Sequence, residues 1–367
     1  MDKLSLCFNG DDFTNFVSFV KSMSTRDKAK GIRAVMLHVE NDSLVCRAVD
    51  DTSDYIEYSV ELYKTDNQIE EPFAVSVTDL AALVKCSSGD KFSIRKSYNQ
   101  FEFNVIGNGW LPFKVVEADL SKYIVNGVES NIGAIESAKL RNAISSVLGY
   151  TQEYTYARDK YIQFTKSQML VTSRLSSVVI KDDFVEMTLH RDCAAMLKTL
   201  LKDDFELKIN KVESAVEMLS FMGPKFKFTV IVSGIESPDI KYIDDINDYL
   251  SVDCNELYKL AIFSEEYPAS KHIIGIKIKD RQCQVNVKNV LAAKHVSTIK
   301  SEGHGNVVDT FTEAEIPAHN LLKALKLFQD KHSRDVNIYI TDEMLKSQNS
   351  VILFDDNTQA IINIYNR

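Results

Sequence analysis

The sequence predicts an α+β chain of three tandem domains, each made of a pair of strand–helix–strands units. A recurring heptapeptide predicts it first: "DLAALVK" at 79–85, "DCAAMLK" at 192–198 and "NLLKALK" at 320–326. Successive copies begin 113 and 128 residues apart, a common domain size. The second observation is what flanks the copies. Short extended runs precede them, and alternating runs rich in Val, Ile, Phe and Tyr follow. The third is that the same order returns three more times, more loosely, at the front of each domain. Periods this long indicate tandem domains, because solenoid repeats are much shorter.

The elements read in order. The first unit is "LSLCF", a helix at 11–23 (DDFTNFVSFVKSM), then "AVMLHV" and "SLVCRAV". The second is "PFAVSV", the first heptapeptide helix, then "KFSIR" and "QFEFNVI". The third is "IGAIE", a helix at 137–150, then "KYIQFT" and "QMLVTS". The fourth is "EMTL", the second heptapeptide helix, then "FELKI" and "KFTVIV". The fifth is "YLSVD", a helix at 254–264, then "IIGIKIK" and "QCQVNV". The sixth is "AEIP", the third heptapeptide helix, then "VNIYIT" and "SVILF". Pairing the units sets domains at 1–125, 126–246 and 247–367. The stretch 121–131 and the acidic 242–249 serve as linkers.

Each helix has one apolar stripe. Cys193, Met196, Leu197, Leu200 and Leu201 recur at helical spacing, as do Leu321, Ala324, Leu325 and Phe328. Asp79, Asp192 and Asn320 stand near helix starts, where their oxygens can cap free N–H groups. Cations fall off the stripes on all six helices: Lys21; Lys85; Lys139 and Arg141; Arg191, Lys198 and Lys202; Lys259; Lys323 and Lys326. On one helix this is a solvated face. On six, in a chain of net charge −9, it is a partition that needs a reason. Cations on one surface would meet a polyanion without base specificity, because Lys–phosphate contacts carry no sequence information.

Composition narrows the function classes. Apolar residues make up 45% and charged residues 26%, which argues for globular domains. The longest apolar runs are too short to span a bilayer, and the N-terminus lacks the order of a signal peptide, so a cytoplasmic location is expected. The six cysteines are Cys7, Cys46, Cys86, Cys193, Cys254 and Cys283. The nearest pair is 29 residues apart, so zinc and redox C-x-x-C spacing is absent. They read as buried or half-buried free thiols. The histidines never pair as H-x-x-x-H, and no metal or cofactor is expected. G-x-S-x-G, P-loop and H-E-x-x-H motifs are missing, and the Asp-Asp pairs at 182–183, 203–204, 244–245 and 355–356 read as turn formers. The chain is not expected to be an enzyme.

Three stretches resemble the bacterial sliding clamp, the β subunit of the replicative DNA polymerase. "QMLVTSRLSSVVI" (168–180) is similar to the family's strand and loop of type V-A-T-D-G-H-R-L-A. "VSGIESPDIKYI" (232–243) is similar to its D-G-x-F-P-D-Y-x-x-V segment. The run 316–365 resembles its C-terminal half-domain throughout, and the three-fold repetition covers the whole chain. The resemblance implies a homodimer: two three-domain subunits closing head to tail around double-stranded DNA, helices inside and sheets outside. It also explains the repeated helix, since a ring around a helical polyanion needs the same basic surface in every sector.

The resemblance further implies a pocket that takes short linear peptides from the DNA polymerase and the clamp loader. Thr172, Arg174 and Leu175 match the family's T-x-x-x-R-L loop, and Pro238 and Ile243 match its Pro and Val. Ser350, Val351 and Ile352 match the bordering strand, while Asn363, Ile364 and Tyr365 stand at the family's M-P-M end. The loop at 172–175 is two residues shorter than the family's and lacks its G-H step. Such departures imply a divergent member with its own peptide preference, of the kind a phage or plasmid could carry. The alternative is a clamp fold put to another use, as a transcription coactivator or a decoy for clamp-binding partners. DNA binding that needs a topologically closed substrate separates the two.

Overall fold

A computed structural model describes residues 5–364, apart from 27–32, 51–53, 65–68, 70, 88–89, 98–99, 106–108, 124, 126, 152–159, 173–175, 215, 233–239, 241, 267–271, 289–294, 330–333 and 348. All six expected helices are present. They are α1 (Gly10–Arg26), α2 (Val77–Lys85), α3 (Ser137–Val147), α4 (Arg191–Leu200), α5 (Cys254–Glu266) and α6 (Ala318–Gln329). A short seventh, α7 (Asp342–Ser347), was not expected. Thr341 starts it by accepting the Met344 N–H at 3.0 Å, and Met344 and Leu345 are buried.

The chain divides into two compact units, 1–141 with 192–233, and 142–191 with 234–367. The first unit holds a 13-stranded sheet. Within it, strand Phe226–Ile231 pairs antiparallel with Tyr55–Lys64, Phe228 opposite Ile56, so one sheet runs from the first 125 residues into the next stretch of chain. The second unit holds a 9-stranded and a 4-stranded sheet. There Ser176–Lys181 pairs with Thr358–Asn363, Val178 opposite Ala360. Strand Val128–Glu136 begins inside the stretch read as a linker at 121–131. Its first residues are exposed, so they carry no apolar alternation by which to read a strand.

Internal repetition extends to the turns. Asn41 and Asp42 have φ of 47° and 59°, and Asp280 and Arg281 have 52° and 57°. Both pairs close two-residue hairpins in corresponding units, joining Ala34–Glu40 to Ser43–Val49 and Ile273–Lys279 to Gln282–Lys288. Positive φ at both central residues matches the twist of the flanking strands, and Asn and Asp tolerate it best.

The apolar stripes lie on the sheets as expected. Cys193, Met196, Leu197 and Leu201 are buried, as are Leu321, Ala324, Leu325 and Phe328; Leu200 is only half-buried. Under α1, Phe8, Phe13, Phe92 and Phe103 form an aromatic core, with Phe8 and Phe13 centroids 4.9 Å apart. Four cysteines are buried, and burial pushes the Cys254 and Cys283 thiols up to about 11 and about 12, which keeps them protonated and inert. Cys86 departs from the expected burial. It ends α2 and is exposed.

The helix caps that the structure shows lie before the expected positions. In α1, α2 and α5 the strand runs directly into the helix and its last residue is the cap. Ser76, rather than Asp79, caps α2 by accepting the Asp79 N–H at 3.0 Å. Asn9 accepts the Asp12 N–H at 2.9 Å, and Asp253 accepts those of Asn255 and Glu256 at 2.9 and 3.0 Å. Asp192 and Asn320 sit inside the first turns of α4 and α6.

Gly275 stands at a close approach between a strand and a side chain. A methyl at Gly275 would collide with the Glu313 carboxylate. Glu313 receives Lys288 at 2.7 Å and Asn286 at 2.6 Å, and Lys288 also reaches Glu315 at 2.8 Å. Gly275→Ala should therefore displace Glu313 and destabilise the chain by about 1–2 kcal/mol. Urea unfolding would measure it, and Glu313→Ala in the same background should recover part of the loss.

Candidate nucleic-acid interface and peptide cleft

In the first unit α1 and α2 lie side by side, and in the second α5 and α6 do. The cations that stand off the apolar stripes differ in exposure. Lys21, Lys85, Lys202, Lys259 and Lys326 are exposed, while Lys139, Arg141, Arg191, Lys198 and Lys323 are half-buried. Ammonium groups on long stems at these positions can meet phosphates without reading base sequence.

Arg141 and Lys202 tie distant segments of the chain together. Arg141 donates to the Leu201 and Lys202 carbonyls at 2.9 and 2.6 Å and lies 3.7 Å from Asp204. It satisfies carbonyls just past the end of α4, a favourable place for a cation. Lys202 donates to Asn15 Oδ1 at 2.9 Å. Neither contact could be read from helical spacing, because each joins segments far apart in the chain.

The residues expected to line a peptide pocket belong to the second unit. Arg174, Leu175, Pro238 and Tyr365 lie outside the described residues. Thr172 is buried at the end of strand Gln168–Thr172, and Ser350, Val351 and Ile352 are buried in strand Ser350–Phe354. Val351 is fully enclosed, so it supports the core beneath any pocket. Ile352 packs with Ile246, Met344 and Phe354. Ile243 is 40% exposed, Asn363 is exposed and Ile364 is half-buried. The Ile364 N–H donates to the Asn349 carbonyl at 2.7 Å, which fixes the chain as it leaves the last strand.

Two glutamines that the sequence reading passed over hold Ile243 in place. Gln359 accepts the Ile243 N–H at 2.9 Å and donates to the Ile243 carbonyl at 2.6 Å. Gln168 accepts the Tyr242 N–H at 3.2 Å and donates to the Ile240 carbonyl at 2.9 Å. Each side-chain amide imitates a strand neighbour, so a segment without regular structure gains ladder-like bonds. Gln359 is 1% exposed, and a buried amide must be paired in this way. The available signal was a glutamine in the apolar run "TQAIIN". Lys181 pairs with Asp244 and lies over the Tyr242 ring at 5.5 Å. Burial, with the charges of Asp355, Asp244 and Asp356, pushes the Tyr242 hydroxyl up to about 12, and it donates to the Asp355 carbonyl at 3.0 Å.

No protein-family model matches this chain, and no curated protein matches it in sequence. Solved structures do match over its whole length. The DNA polymerase sliding clamp of Pseudomonas aeruginosa shares 14% identity, covers 99% of this chain and 100% of its own, and superposes with a TM-score of 0.78. The β subunit of DNA polymerase III from Thermotoga maritima shares 11%, covers 99% of both chains and gives 0.79. The sliding clamp of Bartonella birtlesii, solved bound to griselimycin, shares 13%, covers 99% and 100%, and gives 0.77. With identity this low the likeness is one of fold, and the chain has the α+β fold of the bacterial DNA polymerase III β sliding clamp.

Proposed function

We propose that this chain is a DNA-encircling sliding clamp, a non-enzymatic processivity factor of the cytoplasm that tethers a replicative polymerase to duplex DNA. The full-length match to clamps, covering nearly all of both chains, carries the reading. Three domains, at 1–125, 126–246 and 247–367, make half of a six-sector ring, so the active form is a homodimer. Two outermost strands fit that closure. Gly109–Phe113 ends the 13-stranded sheet, and His295–Ile299 ends the 4-stranded one. Each leaves backbone groups without a strand neighbour, and head-to-tail pairing between protomers would satisfy both. Light scattering at micromolar concentration should give twice 41.5 kDa. A strict monomer at every concentration would overturn the ring.

The exposed helix lysines contact phosphates without sequence preference. The segment around Ile243 borders a cleft for short peptides from the polymerase and the clamp loader, with Thr172, Arg174, Leu175, Pro238 and Ile364 at its edges. Its departures from the family pattern suit a divergent clamp with a cognate polymerase, of the kind encoded by a phage in its host. Leu175→Ala with Ile364→Ala removes apolar contact worth about 25 cal/mol per Å². The double variant should lose stimulation of the polymerase while the dimer and its grip on circular DNA persist. Undiminished stimulation would move the cleft elsewhere.

A further inference from the structure

Three of the Asp-Asp pairs, far apart in the sequence, meet at Ile243 in the second unit. Lys181 stands opposite Gln168 and Ile180 opposite Thr358, so Asp182 and Asp183 leave the sheet beside the turn that carries Asp355 and Asp356. The Lys181 N–H donates to the Asn357 carbonyl at 2.7 Å across that gap. Asp244 and Asp245 directly follow Ile243, and the Tyr242 hydroxyl on the Asp355 carbonyl holds their segment against the same turn. The charges of Asp355, Asp244 and Asp356 all act on that hydroxyl, which marks how near they stand.

One aspartate of each pair serves its own turn or a neighbour. Asp182 accepts the Asp183 N–H at 2.8 Å, Asp355 accepts the Thr358 N–H at 2.7 Å, and Asp244 pairs with Lys181. Asp183, Asp245 and Asp356 take no part in those contacts, and all three are exposed. The nearby cations are Lys181 and Lys166, the latter on the turn whose Ser167 carbonyl accepts the Asp182 N–H. Adding Asp239, Lys241 and Arg174 from the adjoining sequence makes seven carboxylates against four cations, so the excess of negative charge survives the full count. Exposed like charges at this density favour a cationic ligand and repel an anionic one.

An apolar lane starts at these carboxylates. Gln359, Ile361 and Asn363 alternate onto one face of strand Thr358–Asn363. Gln359 is buried where it holds Ile243, Ile361 is half-buried against the cluster of Ile246 and Phe354, and Asn363 is exposed. The face therefore opens along the strand away from the acids, and a side chain seated beside Ile243 lies next to them.

Resting on the peptide-cleft reading above, we propose that the cleft selects partners whose apolar anchor is flanked by Arg or Lys, with Asp245 and Asp356 receiving the basic side chains. The same carboxylates reject a peptide with acidic flanks, so the site discriminates by repulsion as well as attraction. Arg is the better partner, because its guanidinium can meet a carboxylate with two parallel hydrogen bonds.

Calorimetry on the full chain at low salt tests this with acetyl-Arg-Arg-Leu-Leu-Arg-Arg-amide and its counterparts carrying Gln or Glu in place of every Arg. The Arg peptide should bind about tenfold more tightly than the Gln peptide, since two exposed charge pairs contribute up to about fivefold each. The Glu peptide should be the weakest, and the differences should narrow as salt is raised. Asp245→Lys with Asp356→Lys should reverse the order. Glu136→Lys with Glu206→Lys makes the same change of net charge on exposed residues of the first unit and should leave the order standing. The order among peptides on the parent chain is read without any variant. Reversal by the control pair, or equal binding of all three peptides, would overturn selection by charge. Equal binding that is lost on Leu175→Ala with Ile364→Ala would do so while leaving the cleft in place. Binding by none of the three would overturn the cleft and the selection together.

Discussion

The chain with Lys85→Glu, Lys198→Glu and Lys326→Glu is expected to lose most of its hold on DNA. Each phosphate contact contributes about 0.9 to the slope of log affinity against log salt. A ring would lose two copies of each lysine, so the slope should fall by about 5. Reversing the charges adds repulsion to the lost attraction, and the effect at low salt should exceed that of alanine replacements. Lys85 and Lys326 are exposed and Lys198 half-buried, so folding should shift little for the first two and slightly more for the third. Retention on nicked circular DNA across a salt series measures it. Parent-like retention at every salt would mean that the helix faces are merely solvated.

A second large effect is expected at the outermost strands. Leu111 in Gly109–Phe113 and Val296 in His295–Ile299 are 42% and 55% exposed. Their exposure makes sense where another protomer covers them. Leu111→Asp with Val296→Asp would place like charges at each junction, with the apolar contact gone. Dissociation should rise by about a thousandfold or more, giving monomers at micromolar concentration. Trp110, the chain's one tryptophan, neighbours Leu111 and stacks on Arg95 at 4.0 Å. Its fluorescence should therefore follow the concentration-dependent transition of the parent chain, and light scattering would give the mass. A variant that stays dimeric would place the protomer contact at other strands.

The sequence by itself determined the repeated architecture. Six helices with apolar stripes, and the strands around them, were legible because burial imposes one period on a helix and another on a strand. That the cations stand off the stripes was legible for the same reason; five of the ten are exposed and the rest half-buried. The heptapeptide that opened the reading has its apolar positions where α2, α4 and α6 bury them, except Val84, which is half-buried.

Only the tertiary structure decided which groups meet across long separations. Arg141 tied to the end of α4, Gln168 and Gln359 holding Ile243, and Glu313 filling the space above Gly275 depend on distance in space. The caps moved from Asp79 to Ser76 because the strand enters the helix without a loop, a fact of the turn and not of composition. Helix α7 was missed because six residues give too few turns to show a period, and its burial comes from Ile246, Ile352 and Phe354. Local periodicity reports which face of an element is buried; what that face touches is settled by packing.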